Sequence, residues 1–332
     1  MLPQWNRDPD FLVTRASHAV LSVRDLDASV AFYRDVAGLV VTDQSTDIAW
    51  LRGLEEVAHH SLVLRATTGD AVCEQVGFRV REPADIARAQ ASLEGRGLTV
   101  EVVDVPYQGA TLRYVDPVGQ HVELTASMDV VDRRYQAFSE HRSARPQRID
   151  HFQLLTHDVQ TAADFYGELG FRLTEYTAKD GTDELWGVWT EVKGNTHDLV
   201  FTNGRGPRMH HFAYCVPDVS ALMHAADVAG SLGEGDQIDR GPGRHGISNA
   251  VFLYLRDPDG HRVELFTSHY QFIDLEEPPL RWDLSDARRS QLWGLPASRR
   301  WFFEASEYPG EPVREPLLTA EPVVLESYLA VH

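Results

Sequence analysis

The sequence predicts an α+β fold: two tandem modules with curled mixed sheets, followed by a C-terminal region outside the repeat. Three observations predict it. The chain repeats itself; each repeat reads as short strands interrupted by amphipathic helices; and 332 residues, 43% hydrophobic and 24% charged, suffice for two compact domains with cores of their own.

The first copy opens on the apolar run Ser17-His-Ala-Val-Leu-Ser-Val, read as a strand. Asp27-Ala-Ser-Val-Ala-Phe-Tyr follows as an amphipathic helix and Gly38-Leu-Val-Val-Thr as the next strand. The second copy repeats the series as Asp150-His-Phe-Gln-Leu-Leu-Thr, Thr161-Ala-Ala-Asp-Phe-Tyr and Gly170-Phe-Arg-Leu-Thr. The same interval separates His18 from His151 and Phe32-Tyr33 from Phe165-Tyr166. Further on, Asp116-Pro-Val-Gly-Gln-His-Val-Glu-Leu-Thr matches Asp257-Pro-Asp-Gly-His-Arg-Val-Glu-Leu-Phe, so Glu123 maps on Glu264, and Asp-Pro-x-Gly supplies the turn of a closing hairpin. The repeats run over 10–128 and 148–270, which divides the chain into 1–135, 136–270 and a lid and tail at 271–332.

A net charge of −19 without a basic run argues against nucleic acid, whose phosphates it would repel. Cys73 and Cys215 lie in apolar strand-like runs and read as core residues; two cysteines in so long a chain suggest a reducing compartment. No stretch approaches the ~18 to 20 apolar residues that span a bilayer, and the start lacks a charged-then-apolar export signal, so the expectation is a cytoplasmic protein without a membrane partner.

His151, His211 and Glu264 stand out because they fall in three strand-like segments: Arg148-Ile-Asp-His-Phe-Gln-Leu-Leu, Arg208-Met-His-His-Phe-Ala-Tyr-Cys and His261-Arg-Val-Glu-Leu-Phe-Thr. Strands present alternate side chains to one face, so a ligand from each can converge, and two imidazoles with one carboxylate form a facial metal site with open positions. With 15 histidines in the chain, spacing alone leaves ordinary surface or core histidines as the commoner outcome. The first copy keeps His18 and Glu123; aligning Cys73-Glu-Gln-Val-Gly-Phe-Arg with Arg208-Met-His-His-Phe-Ala-Tyr puts Val76 opposite His211, so this copy lacks the second imidazole and is expected to be a metal-free structural module, the second copy being catalytic.

These residues, with Asn195-Thr-His-Asp, Gly206-Pro-Arg-Met-His-His and Arg240-Gly-Pro-Gly-Arg-His-Gly-Ile-Ser-Asn-Ala, resemble the two-domain, type I extradiol ring-cleaving dioxygenases of the vicinal oxygen chelate superfamily, almost throughout the chain. The resemblance implies modules of paired βαβββ repeats and a metal, Fe(II) or Mn(II), held by His151, His211 and Glu264. It implies dioxygen and a catechol as substrates, with both oxygen atoms entering one product as the ring opens beside the diol. His197 would be the acid–base group, taking a proton as the catechol binds and returning it as the O–O bond breaks, and Tyr254 would hydrogen-bond the substrate. Arg240 and His245 are the candidates for a carboxylate on the ring substituent, with 3,4-dihydroxyphenylacetate the expected substrate and 5-carboxymethyl-2-hydroxymuconate semialdehyde the product. The segment Trp282-Asp-Leu-Ser-Asp-Ala-Arg-Arg-Ser-Gln-Leu-Trp resembles one that covers the pocket and would bring Arg289, rather than Arg288, to the same carboxylate. Trp189 would wall the pocket, and Gln153, on the same strand face as His151, stands where the family has Asn. Homotetramers are the family's assembly.

Taken without the resemblance, several of these residues have plainer roles. His197 precedes Leu199-Val-Phe as His60 precedes Leu62-Val-Leu and could cap a turn; Tyr254 and Trp189 suit a strand core; Arg288 and Arg289 suit a solvated helix. Gly241-Pro-Gly-Arg-His-Gly lacks the Gly-Lys-Ser/Thr ending of a phosphate loop and reads as a rigid loop aiming Arg240 and His245. The alternatives to this reading are an extradiol enzyme for another catechol, a metal-dependent isomerase or lyase of the same superfamily, and a non-catalytic binding protein. An isomerase of that kind would draw its ligands from both copies. The tail from Tyr308 to His332 matches nothing specific.

Overall fold

The computed structural model describes residues 1–330. The first sheet holds β1 (Val13–Val23), β2 (Val40–Gln44), β3 (Ile48–Arg52), β4 (Leu62–Ala66), β5 (Cys73–Val80), β6 (Val100–Val103), β7 (Thr111–Val115) and β8 (His121–Thr125), in the order β2-β3-β4-β1-β5-β8-β7-β6. The second holds β9 (Arg148–Thr156), β10 (Arg172–Ala178), β11 (Leu185–Glu191), β12 (Leu199–Asn203), β13 (Arg208–Cys215), β14 (Ile238–Arg244), β15 (Val251–Arg256) and β16 (Arg262–Thr267), and repeats that order element for element. Two strands from the C-terminal region extend it: β17 (Leu280–Asp283) runs parallel to β10 at the edge, and β18 (Ser306–Glu307) pairs with the start of β13. The two-module α+β architecture with mixed sheets is therefore present, and two short strands tie the region after 270 to the second sheet.

The helices repeat as well. Helix α1 (Leu26–Ala31), prolonged by a π-helical turn at Phe32–Ala37, corresponds to α3 (Val159–Glu168), and α2 (Pro83–Gly95) to α4 (Val219–Ser231); α5 (Leu325–Leu329) is a single turn in the tail. Asp25 and Asp158, equivalent in the two copies, cap their helices by accepting hydrogen bonds from the backbone of Ala28 and Thr161.

One continuous core runs through both modules, with Phe78 packing edge-on to Phe152 and Phe171, and Tyr33 against Phe212. The contacts between modules are reciprocal. Tyr33 on the first module's helix donates to Asp257 in the second module's hairpin turn at 3.1 Å, and Tyr166 donates to Asp116 at 3.0 Å. Gln120 donates to the Leu155 carbonyl, and its counterpart His261 bonds the Ser22 carbonyl. The N-terminal residues cross over too: Trp5 and Asn6 bond the backbone of residues 167–170 at the end of α3.

Two readings need correcting. Strand β14 includes Gly241-Pro242-Gly243, which is therefore an edge strand and not a loop; a bulge between Arg240 and Gly243, where Gly241 sits at φ +101°, accommodates the proline. Secondly, Gln75, not Val76, is opposite His211's position. Gln75 pairs with Val20 as His211 pairs with Gln153, and the bulges at Glu74 and at His210 fall at equivalent positions, so the counterpart lies one residue earlier than the linear alignment placed it. Both cysteines are buried and free, and no helix among the described residues is long and apolar enough to cross a membrane. Val331 and His332, the end of the unmatched tail, lie outside the described residues. From Tyr308, stacked on His121, the rest of the tail runs back over the second module, where Ala320 and Leu318 accept from Trp186 and Asn203.

Candidate active site

The second sheet curls so that β9, β13, β15 and β16 aim side chains into one cavity. His151 lies on β9 just past a bulge at Asp150, and His211 on β13 just past the bulge at His210, which turns it to the same face. Glu264 lies on β16 across from Tyr254. Glu264 Oε2 is 3.1 Å from His151 Nε2 and 3.2 Å from His211 Nε2. All three side chains are buried, and their donor atoms lie within 4.8 Å of one another.

This donor set fits a divalent cation. A buried carboxylate facing two ring nitrogens with no Lys or Arg beside it gathers nitrogen and oxygen lone pairs around a single point, as the 2-His-1-carboxylate facial arrangement does. The other ring nitrogens are held from behind: Asp150 accepts from His151 Nδ1 at 3.2 Å, and His210 Nδ1 lies 2.8 Å from His211 Nδ1. Asp150 is itself fixed by Asn195 and Lys193, and Lys193 also bonds Asp198. Burial drives His211 down to about 4. It opposes charge on His151 too, but the hydrogen bonds to Asp150 and Glu264 outweigh it and raise that imidazole. Burial likewise opposes ionisation of Glu264, yet the histidines around it hold it well below the carboxylate range.

The first module shows what the same framework does with other residues. His18 bonds Glu123 at 2.8 Å, and Arg113, at the position of Tyr254, donates to the other Glu123 oxygen at 2.7 Å. Burial works against that carboxylate, but His18 and Arg113 hold it at about 2.

The ligand, acid–base and substrate-binding candidates of the second module all border this cavity. His197, in the loop before β12, lies with its ring centroid 4.1 Å from that of His151, its Nδ1 3.0 Å from the Thr196 hydroxyl. Burial, with His151 beside it, pushes the imidazole well below its usual range. Tyr254 and His245 bond each other at 3.0 Å, and His245 Nε2 is 3.8 Å from Glu264. Gln153 donates to Thr202 at 3.1 Å. Trp189 forms a wall with Val200 and Ile247, fitting where Gly187 on the same strand leaves only 3.2 Å for any added Cβ.

Arg240 and Arg289 line the same cavity. Arg240 donates through Nη2 to the Ser290 carbonyl and Gln291 Oε1, lies over Phe252 and Trp301, and has a buried Nε without a partner. Arg289 bonds the Leu284 carbonyl and lies over Trp186. It is 4% exposed whereas the Arg288 side chain is 73% exposed, so a turn at Ala287–Arg289 and not a solvated helix carries them. Burial lowers both pocket guanidiniums, Arg289 to about 10.

Sequence reasoning missed Trp186, Thr202, Ile247, Trp301 and Phe302, which complete the wall, and Asp150, Lys193 and His210 behind the ligands. Asp150 was visible in principle as a carboxylate next to a ligand histidine. Trp301 and Phe302 come from a segment with no counterpart in the repeat.

The chain matches the Glyoxalase/Bleomycin resistance protein/Dioxygenase superfamily over residues 15–127 and 148–265. It is 30% identical over 300 residues to a manganese-dependent 2,3-dihydroxybiphenyl 1,2-dioxygenase of Geobacillus genomosp. 3, covering 85% of this chain and 93% of that one. It is 27% identical to a metapyrocatechase of Geobacillus stearothermophilus, over 84% of this chain and 89% of that one. Among solved structures it superimposes on homoprotocatechuate 2,3-dioxygenase from Arthrobacter globiformis with TM-score 0.89 and 35% identity, covering 93% of this chain and 98% of that one. A variant of the Brevibacterium fuscum enzyme of that name gives TM-score 0.90 and 35% identity over 97% and 90% of the two chains. Family match, tandem modules and buried His-His-Glu group agree: the chain belongs to the glyoxalase/vicinal oxygen chelate superfamily and, within it, to the extradiol ring-cleaving dioxygenases.

Proposed function

We propose that this extradiol dioxygenase acts on a catechol with a carboxylate side chain, 3,4-dihydroxyphenylacetate in the first place, and opens the ring beside the diol to give 5-carboxymethyl-2-hydroxymuconate semialdehyde. The observation that carries the proposal is the pair of guanidiniums that line the cavity, Arg240, part-buried, and Arg289, buried. Among the described residues neither is paired with an acidic side chain, and Arg240 keeps a free Nε donor. Buried cations without counter-charge are costly, and a substrate carboxylate relieves that cost.

His151, His211 and Glu264 would hold Fe(II) or Mn(II). Bound there, the metal supplies a Lewis acid for the two catechol oxygens and a path for electrons from ring to dioxygen. His197, with Nδ1 turned to Thr196, has Nε2 left to take a catechol proton and to return it as the O–O bond breaks. Tyr254, held by His245, orients the ring oxygen beside Glu264, and Gln153 with Thr202 shapes the side near His151. Trp186, Trp189, Trp301 and Phe302 exclude water around the ring. The first module serves as a structural half without metal, Arg113 supplying positive charge beside Glu123; anomalous scattering from bound metal beside His18 would refute this. A homotetramer in the cytoplasm is the expected state, checked by sedimentation and cell fractionation.

The deciding experiment follows oxygen uptake and visible spectra together, on protein reconstituted anaerobically with Fe(II) or Mn(II) and then given 3,4-dihydroxyphenylacetate in air. A yellow product and one dioxygen per substrate are expected; no uptake with either metal bound would return the isomerase or binding-protein reading. A second reading, a catechol with an uncharged aryl substituent, is favoured by the indoles that line the wall. The same assay with 2,3-dihydroxybiphenyl separates the two.

A further inference from the structure

Glu175, on β10, is fully buried and forms no salt bridge with any described residue. Its Oε1 accepts from the Ser248 backbone and the Tyr270 hydroxyl, each at 2.6 Å, and its Oε2 accepts from the Trp282 indole at 2.6 Å. These donors come from three separate segments: the turn Ile247–Asn249, the stretch after β16, and β17. Ser248 and Asn249 are both left-handed, at φ 59°, a conformation that persists only when its surroundings fix it. Ile247 and Ser248 line the catechol cavity.

Trp282 opens the segment that covers the cavity. It pairs with Thr177 on β10 and packs beside Trp189 and Ile247; the chain then turns through Leu284, whose N–H bonds the Ala178 carbonyl, and delivers Arg289 and Ser290 to the cavity. At its far end the segment is held by Ser290, whose carbonyl accepts from Arg240 and bonds His245. Those two residues are the ones a substrate carboxylate would engage. The segment is thus tied at both ends, to β10 and Glu175 at Trp282 and to Arg244 and Gly246 through the backbone of Arg288, Leu292 and Trp293, and its Ser290 side meets substrate.

We infer that Glu175 is a positioning residue that anchors the covering segment and the Ile247–Ser248 wall, and thereby sets how well the pocket selects a catechol with an anionic substituent. The inference rests on the catechol reading above. A packing role alone would be met by an apolar side chain, because a buried carboxylate is costly unless each oxygen has its donors. A glutamine in its place sets an amide N–H where the indole N–H needs an acceptor; phenylalanine at 282 removes that conflict.

The test compares Glu175→Gln, Trp282→Phe and the double variant, all loaded with metal. Glu175→Gln should raise KM for 3,4-dihydroxyphenylacetate by roughly tenfold or more, that for 4-methylcatechol by less than roughly threefold, and leave kcat within about threefold, since an interaction made alike in ground and transition states is lost. Trypsin cleavage after exposed Arg288 should accelerate in parallel. The double variant should be no worse than the glutamine variant, because the two residues form one contact. Effects that multiply independently, an unchanged selectivity ratio, or equal losses of kcat and KM on both catechols with a lowered melting temperature would overturn the proposal. If the unaltered enzyme opens no catechol at all, the catechol reading fails and the proteolysis series alone decides the anchor: unchanged cleavage rejects it, coupled acceleration upholds it.

Discussion

His197 owes its position to two neighbours: Thr196 takes Nδ1, and Asn195 donates to the His197 carbonyl at 2.6 Å while also holding Asp150. His197→Asn should therefore keep catechol and metal binding but slow turnover by ~10²-fold or more, the usual loss for a general acid–base group. Stopped-flow records under air check this, and unchanged turnover would remove His197 from the chemistry. Arg240→Ala should raise KM for 3,4-dihydroxyphenylacetate by about tenfold or more, a charge-assisted hydrogen bond being worth about 1.5–3 kcal/mol, and raise that for 4-methylcatechol far less. Equal effects on both would remove it from carboxylate recognition. At this scale His151, His211 and Glu264 were legible through the resemblance, since two imidazoles and a carboxylate among 15 histidines do not single themselves out by spacing. The choice of Arg289 over Arg288 came from the resemblance alone, because which of two adjacent arginines is buried depends on a turn whose geometry no pattern of residues declares.

Elements were legible where periodicity is strong and illegible where a strand departs from it. The bulges at Asp150 and His210 each insert a residue against the partner strand, which re-aims the two ligand histidines, and the matching bulges at Ser17 and Glu74 put Gln75 in the place of His211. The bulged edge strand β14 hid behind a glycine–proline composition that resembles a loop. There Gly241 combines φ +101° with a backbone oxygen, that of Phe252, only 2.8 Å from where a Cβ would stand. Gly241→Ala should cost about 1–3 kcal/mol through strain and displace adjacent Arg240, so that the melting temperature falls and KM for the carboxylated catechol rises together. A variant with unaltered melting temperature would show the strand to be more pliant than its geometry requires.

Across the whole molecule, the buried turn aspartates join the modules and make stability depend on pH. Burial raises Asp116 to about 7, against the opposing pull of backbone N–H groups and the Tyr166 hydroxyl. Its unfolded value is near ~3.9, so the folded protein binds the extra proton between the two values; this stabilisation is present below about pH 4 and is lost as pH rises through 7. Asp116→Asn keeps an acceptor for the Val118 and Gln120 amides and should remove the loss, so that its advantage over the unaltered protein in urea unfolding grows from pH 5 to pH 8. An advantage that does not grow would show Asp116 to be ionised throughout.

Those aspartates have a further consequence. Tyr33 with Asp257 and Tyr166 with Asp116 are one contact made twice, each copy lending its helix to the other's hairpin. Two separate chains related by a two-fold axis would meet in this manner, each offering the same patch. The protein is thus built as a symmetric pair sewn into one polypeptide, in which a single half retained both imidazoles while the other became its permanent partner. Severed between β8 and β9, the halves should find each other again when co-expressed and co-purify as a one-to-one complex. Neither should stay dispersed alone, because each would present to water a face shaped for its twin.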